Sequence, residues 1–368
     1  MTILAFIGIL VVLILVHELG HFLAAKLFNI RVDEFGLGFP PKLWGVKKGE
    51  TEYTLNMLPI GGFVRIYGED PADVPSTAPD IGRSMASKSH MVQAIVLCAG
   101  VAFNILFAWM VFTFGFMFGM PSALEESEIA QATSVKLLIT EVVPGSPAAN
   151  AGILAGDEIL DITARSGAFD DITLTPSTIA NFIGTHEGQT LTLALMRSGS
   201  ELSVEVTPQT GVIADAPDRP AAGFVMTLAG IITLPVGQAI VESAHMTWNM
   251  LGAITSGLVD FFAKAFTLNA DLQYVSGPIG IVGLVGDARA LGIAYVVTFM
   301  AFISLNLAVI NMLPFPALDG GRLAFVIYEA ITRRRIPPLV AKSLNVAGFF
   351  ILIGLMIAVT VSDVFKLL

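Results

Sequence analysis

The chain has 368 residues, of which 54% are hydrophobic and 14% charged, and its mean hydropathy is +0.76. Soluble domains carry roughly 25% charged residues, and a chain of 39.0 kDa has too little interior to hide this much apolar surface, so the composition points to a membrane protein and away from a soluble one. A net charge of -10 argues against nucleic acid as a partner, because phosphates are held by Lys and Arg; the single cysteine, Cys98, leaves no disulfide framework and no Cys-rich zinc site.

A crossing helix needs roughly 20 apolar residues. The first such run is Met1 to Val16, continuing through Glu18 to Ala25. No basic segment precedes it and no small-residue cleavage site follows, so a removable signal peptide is not expected. Further spans are expected between Ser89 and Leu124, Ala290 and Leu318, and Ser343 and Ser362. The run from Pro220 to Val241 is broken by Pro235 and several glycines. It reads as the closing strand of the preceding domain, Gly223 to Thr227, followed by a helix from Val236 to Phe266. That helix has an apolar side (Ile240, Ala244, Trp248, Leu251, Leu258) but keeps Glu242, His245, Asp260 and Lys264, which suits a membrane-surface helix; a fifth span is the alternative. Basic residues set the orientation. Arg31, Lys42, Lys47, Lys48, Arg65, Arg83 and Lys88 lie in one loop and Arg322, Arg333, Arg334 and Arg335 in another, whereas the stretch from Pro121 to Arg289 is rich in acidic residues. Both basic loops are therefore expected in the cytoplasm, and both termini and the long stretch outside.

Between about Gln131 and Thr210 the pattern changes to short alternating runs. Val135 to Val143 reads as a strand, Pro144-Gly145-Ser146-Pro147 as a turn, Ala148 to Ala151 as a short helix and Ile159 to Ile162 as a second strand. Leu191 to Met196 and Leu202 to Val206 read as a hairpin around Ser198-Gly199-Ser200, and Ala214 to Pro220 as a loop near the end of the domain. The string VVPGSPAANAGILAGDEILDI resembles a PDZ domain. Such domains bind extended peptide at a sheet edge, which makes a peptide one expected partner; a rigid spacer or size filter is the alternative, since no Gly-Leu-Gly-Phe carboxylate loop precedes Leu137.

Chemistry concentrates in His17-Glu18-Leu19-Gly20-His21. Histidines at i and i+4 stand one above the other on a helix face, so both imidazoles can reach one Zn2+, and the intervening glutamate is placed to take a proton from water. Ionisable groups inside a transmembrane helix are costly and mark a functional site; histidines that only bonded a neighbouring helix would leave Glu18 without a role. Zinc needs a third protein ligand and an open position. His90, His186 and His245 qualify by type, but the first falls in an exposed stretch, the second in the insert and the third on the surface helix. Asp319 is the first carboxylate after the apolar run of the third span, within Asn311-Met312-Leu313-Pro314-Phe315-Pro316-Ala317-Leu318-Asp319-Gly320-Gly321-Arg322. There Pro314 and Pro316 break the helix, and Gly320-Gly321 are expected to let the backbone turn tightly. In a four-span chain Asp319 and the two histidines meet in one leaflet; a fifth span would separate them.

HELGH in the first span together with NMLPFPALDGG in the third resembles the site-2 protease family of intramembrane zinc metalloproteases, and with an extracytoplasmic PDZ insert it is similar to the bacterial RseP type. Phe35-Gly36-Leu37-Gly38-Phe39, Leu58-Pro59-Ile60-Gly61-Gly62-Phe63-Val64 and Ser276-Gly277-Pro278-Ile279-Gly280 extend the resemblance over nearly the whole chain. It implies His17, His21 and Asp319 as ligands of a zinc cofactor and Glu18 as general base. It also implies Asn311 as the residue that holds the substrate backbone or stabilises the oxyanion, with helix-end capping beside Pro314 as the alternative. Gly61, Gly62, Phe63 and Val64 would lie in a membrane-dipping β-hairpin whose edge pairs with substrate, because an unwound segment in lipid needs an edge partner; a structural turn is the alternative. Well-known members of this type carry two tandem PDZ domains and this chain has room for one, so a two-domain filter is not carried over.

The expected fold is a polytopic α-helical membrane protein with four transmembrane helices, a membrane-associated β-hairpin and an inserted mixed α/β PDZ domain. The segments are 1–120 (first two helices and hairpin), 121–222 (PDZ domain), 223–290 (closing strand and surface helix) and 291–368 (last two helices). The expected activity is cleavage of transmembrane segments of single-pass proteins, such as anti-sigma factors or signal-peptide remnants, in the lipid bilayer of a bacterial cytoplasmic (inner) membrane. A non-catalytic PDZ scaffold and a metal transporter are the competing readings; the second is disfavoured because no internal repeat is visible.

Overall fold

The first apolar run forms one helix, α1 (Thr2–Leu27), in the computed structural model, which describes residues 2–69, 80–164, 167–168, 174–197, 199–212, 216, 218–267 and 277–367. The helix stops where Asn29 takes a left-handed conformation (φ 51°), with Asn29 N–H donating to Lys26 O (3.1 Å) and Ile30 N–H to Ala25 O (2.8 Å). This paired arrangement satisfies carbonyls that the helix end would orphan, and Asn tolerates the left-handed region better than most side chains.

The chain then runs through β1 (Val32–Lys48) and β2 (Thr51–Ile66). Both strands fold over on themselves. Phe35 pairs with Val64 on one side and Tyr53 on the other, Gly36 with Phe63 and Thr54, and Leu37 with Gly62 and Leu55, while Val46 pairs with Tyr53. The lateral order is therefore 62–66, 32–37, 51–55, 44–48, which leaves the segment from Gly62 to Ile66 at an outer edge. Around the bends Phe39, Leu43, Trp44, Met57 and Leu58 are exposed, a surface suited to lipid rather than water. Glu50, in the turn between the strands, accepts hydrogen bonds from Arg83 Nη1 (2.6 Å) and Nη2 (2.8 Å) and from Lys26 Nζ (2.6 Å). The Arg83 and Lys26 bonds hold its carboxyl down at about 2.

From the last turn of α2 (His90–Phe118) onward, the residues Phe116–Leu234 make one compact unit; Met1–Gly115 and Pro235–Leu368 make the other. The inserted unit comprises β3 (Met120–Leu124), β4 (Ala132–Val142), α3 (Pro147–Asn150), β5 (Glu158–Ala164), β6 (Gly167–Ala168), α4 (Pro176–Thr185), β7 (Leu191–Arg197), β8 (Ser200–Val206) and β9 (Phe224–Ile232). Its antiparallel sheet has the order β3-β9-β4-β5-β7-β8, with β6 on β5. Ser146 starts α3 by accepting from Ala149 N–H (3.2 Å). Ile139, Ile153, Ile162, Ile179, Leu193 and Leu228 are buried between the sheet and the two helices.

The boundary at 222 needs correction. β9 pairs with both β3 and β4, so it is an interior strand of the insert, and the unit continues to Leu234. Helix α4 was not anticipated, although Thr175, Pro176 and Thr178 form a capping box with proline in the first turn. Of the expected features, Met1, Ser198, part of the loop at Ala214 to Pro220, and Ser276 lie outside the described residues.

In the larger unit the chain continues as α5 (Val236–Phe266), α6 (Pro278–Leu291), α7 (Ile293–Met312), α8 (Asp319–Thr332) and α9 (Pro338–Leu367). Among the described residues four helices are long and apolar enough to cross a membrane: α1, α2, α7 and α9. Helix α5 is not one of them. It buries a small-residue stripe, Ala239, Ser243 and Thr247, with Ser243 Oγ 2.7 Å from Thr113 Oγ1 of α2, and leaves Trp248 76% exposed on its apolar side. At the start of α6, Gly280 N–H donates to the Asp363 carboxylate of α9 (2.8 Å), where a negative charge is favoured.

Candidate metal centre

The spacing of the two histidines works as expected, because α1 is a continuous helix through both. Their Nε2 atoms are 3.2 Å apart, and Asp319 Oδ2 lies 3.0 Å from His17 Nε2 and 3.2 Å from His21 Nε2. Donors on a tetrahedral zinc, each about 2.0–2.1 Å from the ion, stand roughly 3.3 Å apart, within a few tenths of these separations. Two imidazoles and one carboxylate on one side also leave room for a fourth position, which is the donor set of a catalytic zinc. Among the described residues this is the one group of His, Cys, Asp and Glu side chains close enough to share an ion. The residues therefore fit the metal.

Asp319 reaches the histidines because α7 ends before it. After Met312 the chain passes through Pro314 and Pro316 and turns at Ala317, whose φ is 76°, before α8 begins at Asp319. Ala317 N–H donates to Asn345 Oδ1 of α9 (3.2 Å). The glycines have a different purpose from the one expected: Gly320 and Gly321 are helical and buried. A Cβ on Gly320 would run into the carbonyl oxygens of Met312 and Leu313, and one on Gly321 into that of Phe315. They permit close packing of α8 under the loop, and the turn falls to Ala317.

The histidines are backed by one face of α2. His21 Nδ1 donates to Val96 O (2.8 Å), and Asn104, wholly buried, lies with Nδ2 3.3 Å from His17 Nδ1. Between them sits Gly100, where a Cβ would lie 2.7 Å from His17 Cε1 and 2.9 Å from His17 Nε2 and would collide with His21 Nε2. Gly20 on α1 faces the Ala99 carbonyl in the same way. Glycines at the crossing let the two backbones close up. Sequence reasoning missed Val96, Gly100 and Asn104. The available signal was an amide in a charge-free span, one helical turn after a glycine.

The edge segment from Gly62 comes up against α1 at the same level. A Cβ on Gly62 would stand 3.0 Å from Ile14 Cγ2 and 3.6 Å from Glu18 Cγ, and the Val64 backbone N–H faces the Glu18 carboxylate. Gly61 has φ 109°, a conformation glycine adopts at no steric cost, and Phe63 stacks on Phe39 with centroids 6.5 Å apart. Asn311 is half-buried in the last turn of α7. The other histidines are elsewhere: His90 is exposed, 4.0 Å from Glu329; His186 ends α4, bonded to Phe182 O (2.8 Å); His245 is exposed on α5.

A model of peptidase family M50 matches residues 5–355. A Clostridium perfringens protein named as a zinc metalloprotease is 34% identical, with 96% of this chain and 95% of that one covered. The zinc metalloprotease RasP of Geobacillus kaustophilus is 28% identical over 99% of this chain and 98% of its own. The chloroplastic membrane metalloprotease ARASP of Arabidopsis thaliana is 29% identical over all of this chain and 79% of its own. Among solved structures, the PDZ domain of a Listeria innocua SdrC-like protein aligns with 25% of this chain and 92% of its own at 20% identity and a TM-score of 0.20.

Proposed function

Since this chain belongs to peptidase family M50 and is a zinc metalloprotease of the membrane, we propose that it cuts transmembrane segments of single-pass proteins, with His17, His21 and Asp319 holding the metal and Glu18 as general base. The convergence of three ligand atoms on one point beside Glu18 carries this reading. A zinc ion held by these three residues would supply Lewis acidity toward the scissile carbonyl and would lower the pKa of water. Glu18 takes the proton of the attacking water and returns it to the leaving amide nitrogen. The segment from Gly61 to Val64 takes the unwound substrate as an added strand: it is an edge, it lies beside Glu18, and an extended segment in lipid must find backbone partners. Asn311 contributes a side-chain N–H to the substrate backbone or the oxyanion.

The inserted unit is read as a single PDZ domain outside the cytoplasm that admits or recruits substrates. Both termini lie on that side and the active site faces the cytoplasmic half of a bacterial inner membrane, with α5 along the surface. Anti-sigma factors and signal-peptide remnants are the substrates this reading favours. The scaffold reading gives way, because the family is one of peptidases and the HExxH residues and Asp319 are all present.

Glu18→Gln is the direct test. It should retain zinc at wild-type stoichiometry and lose cleavage of a membrane-embedded substrate by a factor of about 10² to 10⁴. Cleavage at near wild-type rate would sink the mechanism.

A further inference from the structure

The α2 face that backs the histidines carries a buried amide one turn beyond Gly100. Asn104 is wholly buried, and among the described residues its Oδ1 has no hydrogen-bond partner, while its Nδ2 lies 3.3 Å from His17 Nδ1. An amide N–H donating there would make Nδ1 an acceptor. The single proton of a neutral imidazole would then sit on Nε2, aimed at Asp319 Oδ2, and the nitrogen needed for the metal would be blocked. A half-turn of the carboxamide exchanges two groups of nearly equal size. It gives Oδ1 the Nδ1–H of His17 and leaves the Nε2 lone pair free. His21 is already held in this way: Val96 O can only accept, so the proton of a neutral His21 is on Nδ1.

We propose that Asn104 is the positioning residue of His17, its Oδ1 accepting the Nδ1–H and so selecting the tautomer that binds metal through Nε2. Val96 O, Gly100 and Asn104 then form one stripe at four-residue spacing. The two ends fix one imidazole each, and the glycine between leaves them space. Ser304 of α7, also wholly buried, donates from Oγ to Asn104 O (2.9 Å) and ties this turn of α2 to a third helix. Partners of metal-bound histidines orient the ring and raise its basicity, and their loss typically weakens metal binding by about 10- to 100-fold.

The inference rests on His17 Nε2 being a ligand, and the test separates the two claims. Zinc affinity is measured by chelator competition on the purified full chain, and the melting temperature of each chelated variant is recorded alongside. Asn104→Leu should weaken zinc binding by about 10- to 100-fold with little change in the chelated melt, which a purely packing role would lower. Asn104→Asp, which keeps an acceptor, should restore most of the affinity. If the leucine variant does not fold, Asn104→Ala replaces it in the comparison. Wild-type affinity without the acceptor overturns the proposal, as does an aspartate variant no better than leucine. His17→Ala is the control. If it binds zinc as wild type does, the ligand assignment itself fails and takes the role of Asn104 with it; if it loses zinc while Asn104→Leu does not, only the positioning role fails.

Discussion

His17, Glu18, His21 and Asp319 were legible because the first three stand inside an apolar helix, where side chains of this cost need a compensating use, and Asp319 stands at the start of α8 just after another apolar helix. Gly20 and Gly100 were not, because a glycine gives no sign of what approaches it. Their requirement is steric and local. Gly100→Ala would place a methyl against both imidazoles, and overpacking of this kind costs about 1–3 kcal/mol. We expect the variant to melt lower and to retain less zinc than wild type after dialysis against a weak chelator; equal zinc content would show that the helices can part. Gly320 and Gly321 illustrate the same gap from the other direction. The sequence motif suggested a turn, and the backbone carbonyls of Met312, Leu313 and Phe315 turned out to be what excludes a Cβ.

Elements bring further demands. The hairpin of β1 and β2 is fastened by Glu50 to Lys26 at the end of α1 and to Arg83 ahead of α2. Because the folded carboxyl is held at about 2, below its ordinary 4.5, its contribution is fully present above about pH 4.5. It is lost as the pH falls through the folded value. Amide exchange in the hairpin should therefore accelerate relative to the helices below about pH 4, and Glu50→Gln should show fast exchange already at neutral pH. If the variant keeps wild-type protection, the anchor is decorative. In the insert, burial of Asp157 opposes its charge, but the Arg197 guanidinium and the Leu154 N–H outweigh it and keep the carboxyl below its usual range. Arg197 keeps access to water, so the loss is that of charge-assisted hydrogen bonds, about 1.5–3 kcal/mol. Asp157→Ala should thus raise amide exchange across β5 and β7, an effect that unchanged protection there would contradict.

Across the whole chain the proposed metal site would join distant segments, since His17 and Asp319 are separated by 302 residues. Binding to the folded form alone stabilises it, by about 2.7 kcal/mol at a free zinc concentration one hundred times Kd. Chelation should lower the melting temperature by several degrees, and Asp319→Ala should abolish that zinc dependence; a zinc-dependent shift that survives Asp319→Ala would place the metal elsewhere. Orientation is tested in a Cys98→Ser background with Ser200→Cys and Arg334→Cys. A membrane-impermeant thiol reagent added outside should label the first and spare the second.

The spans, the helix-spaced histidine pair, the aspartate and the strands around VVPGSPAANAGILAGDEILDI could all be read from the sequence, because each depends on residue type and near-neighbour spacing. The edge position of the segment from Gly62, the interior place of β9 between β3 and β4, and the backing of the histidines by Val96, Gly100 and Asn104 depend on which distant backbone comes alongside. Pairing partners in a sheet and close approach between helices leave no period in the chain that bears them. Tertiary structure alone decided those.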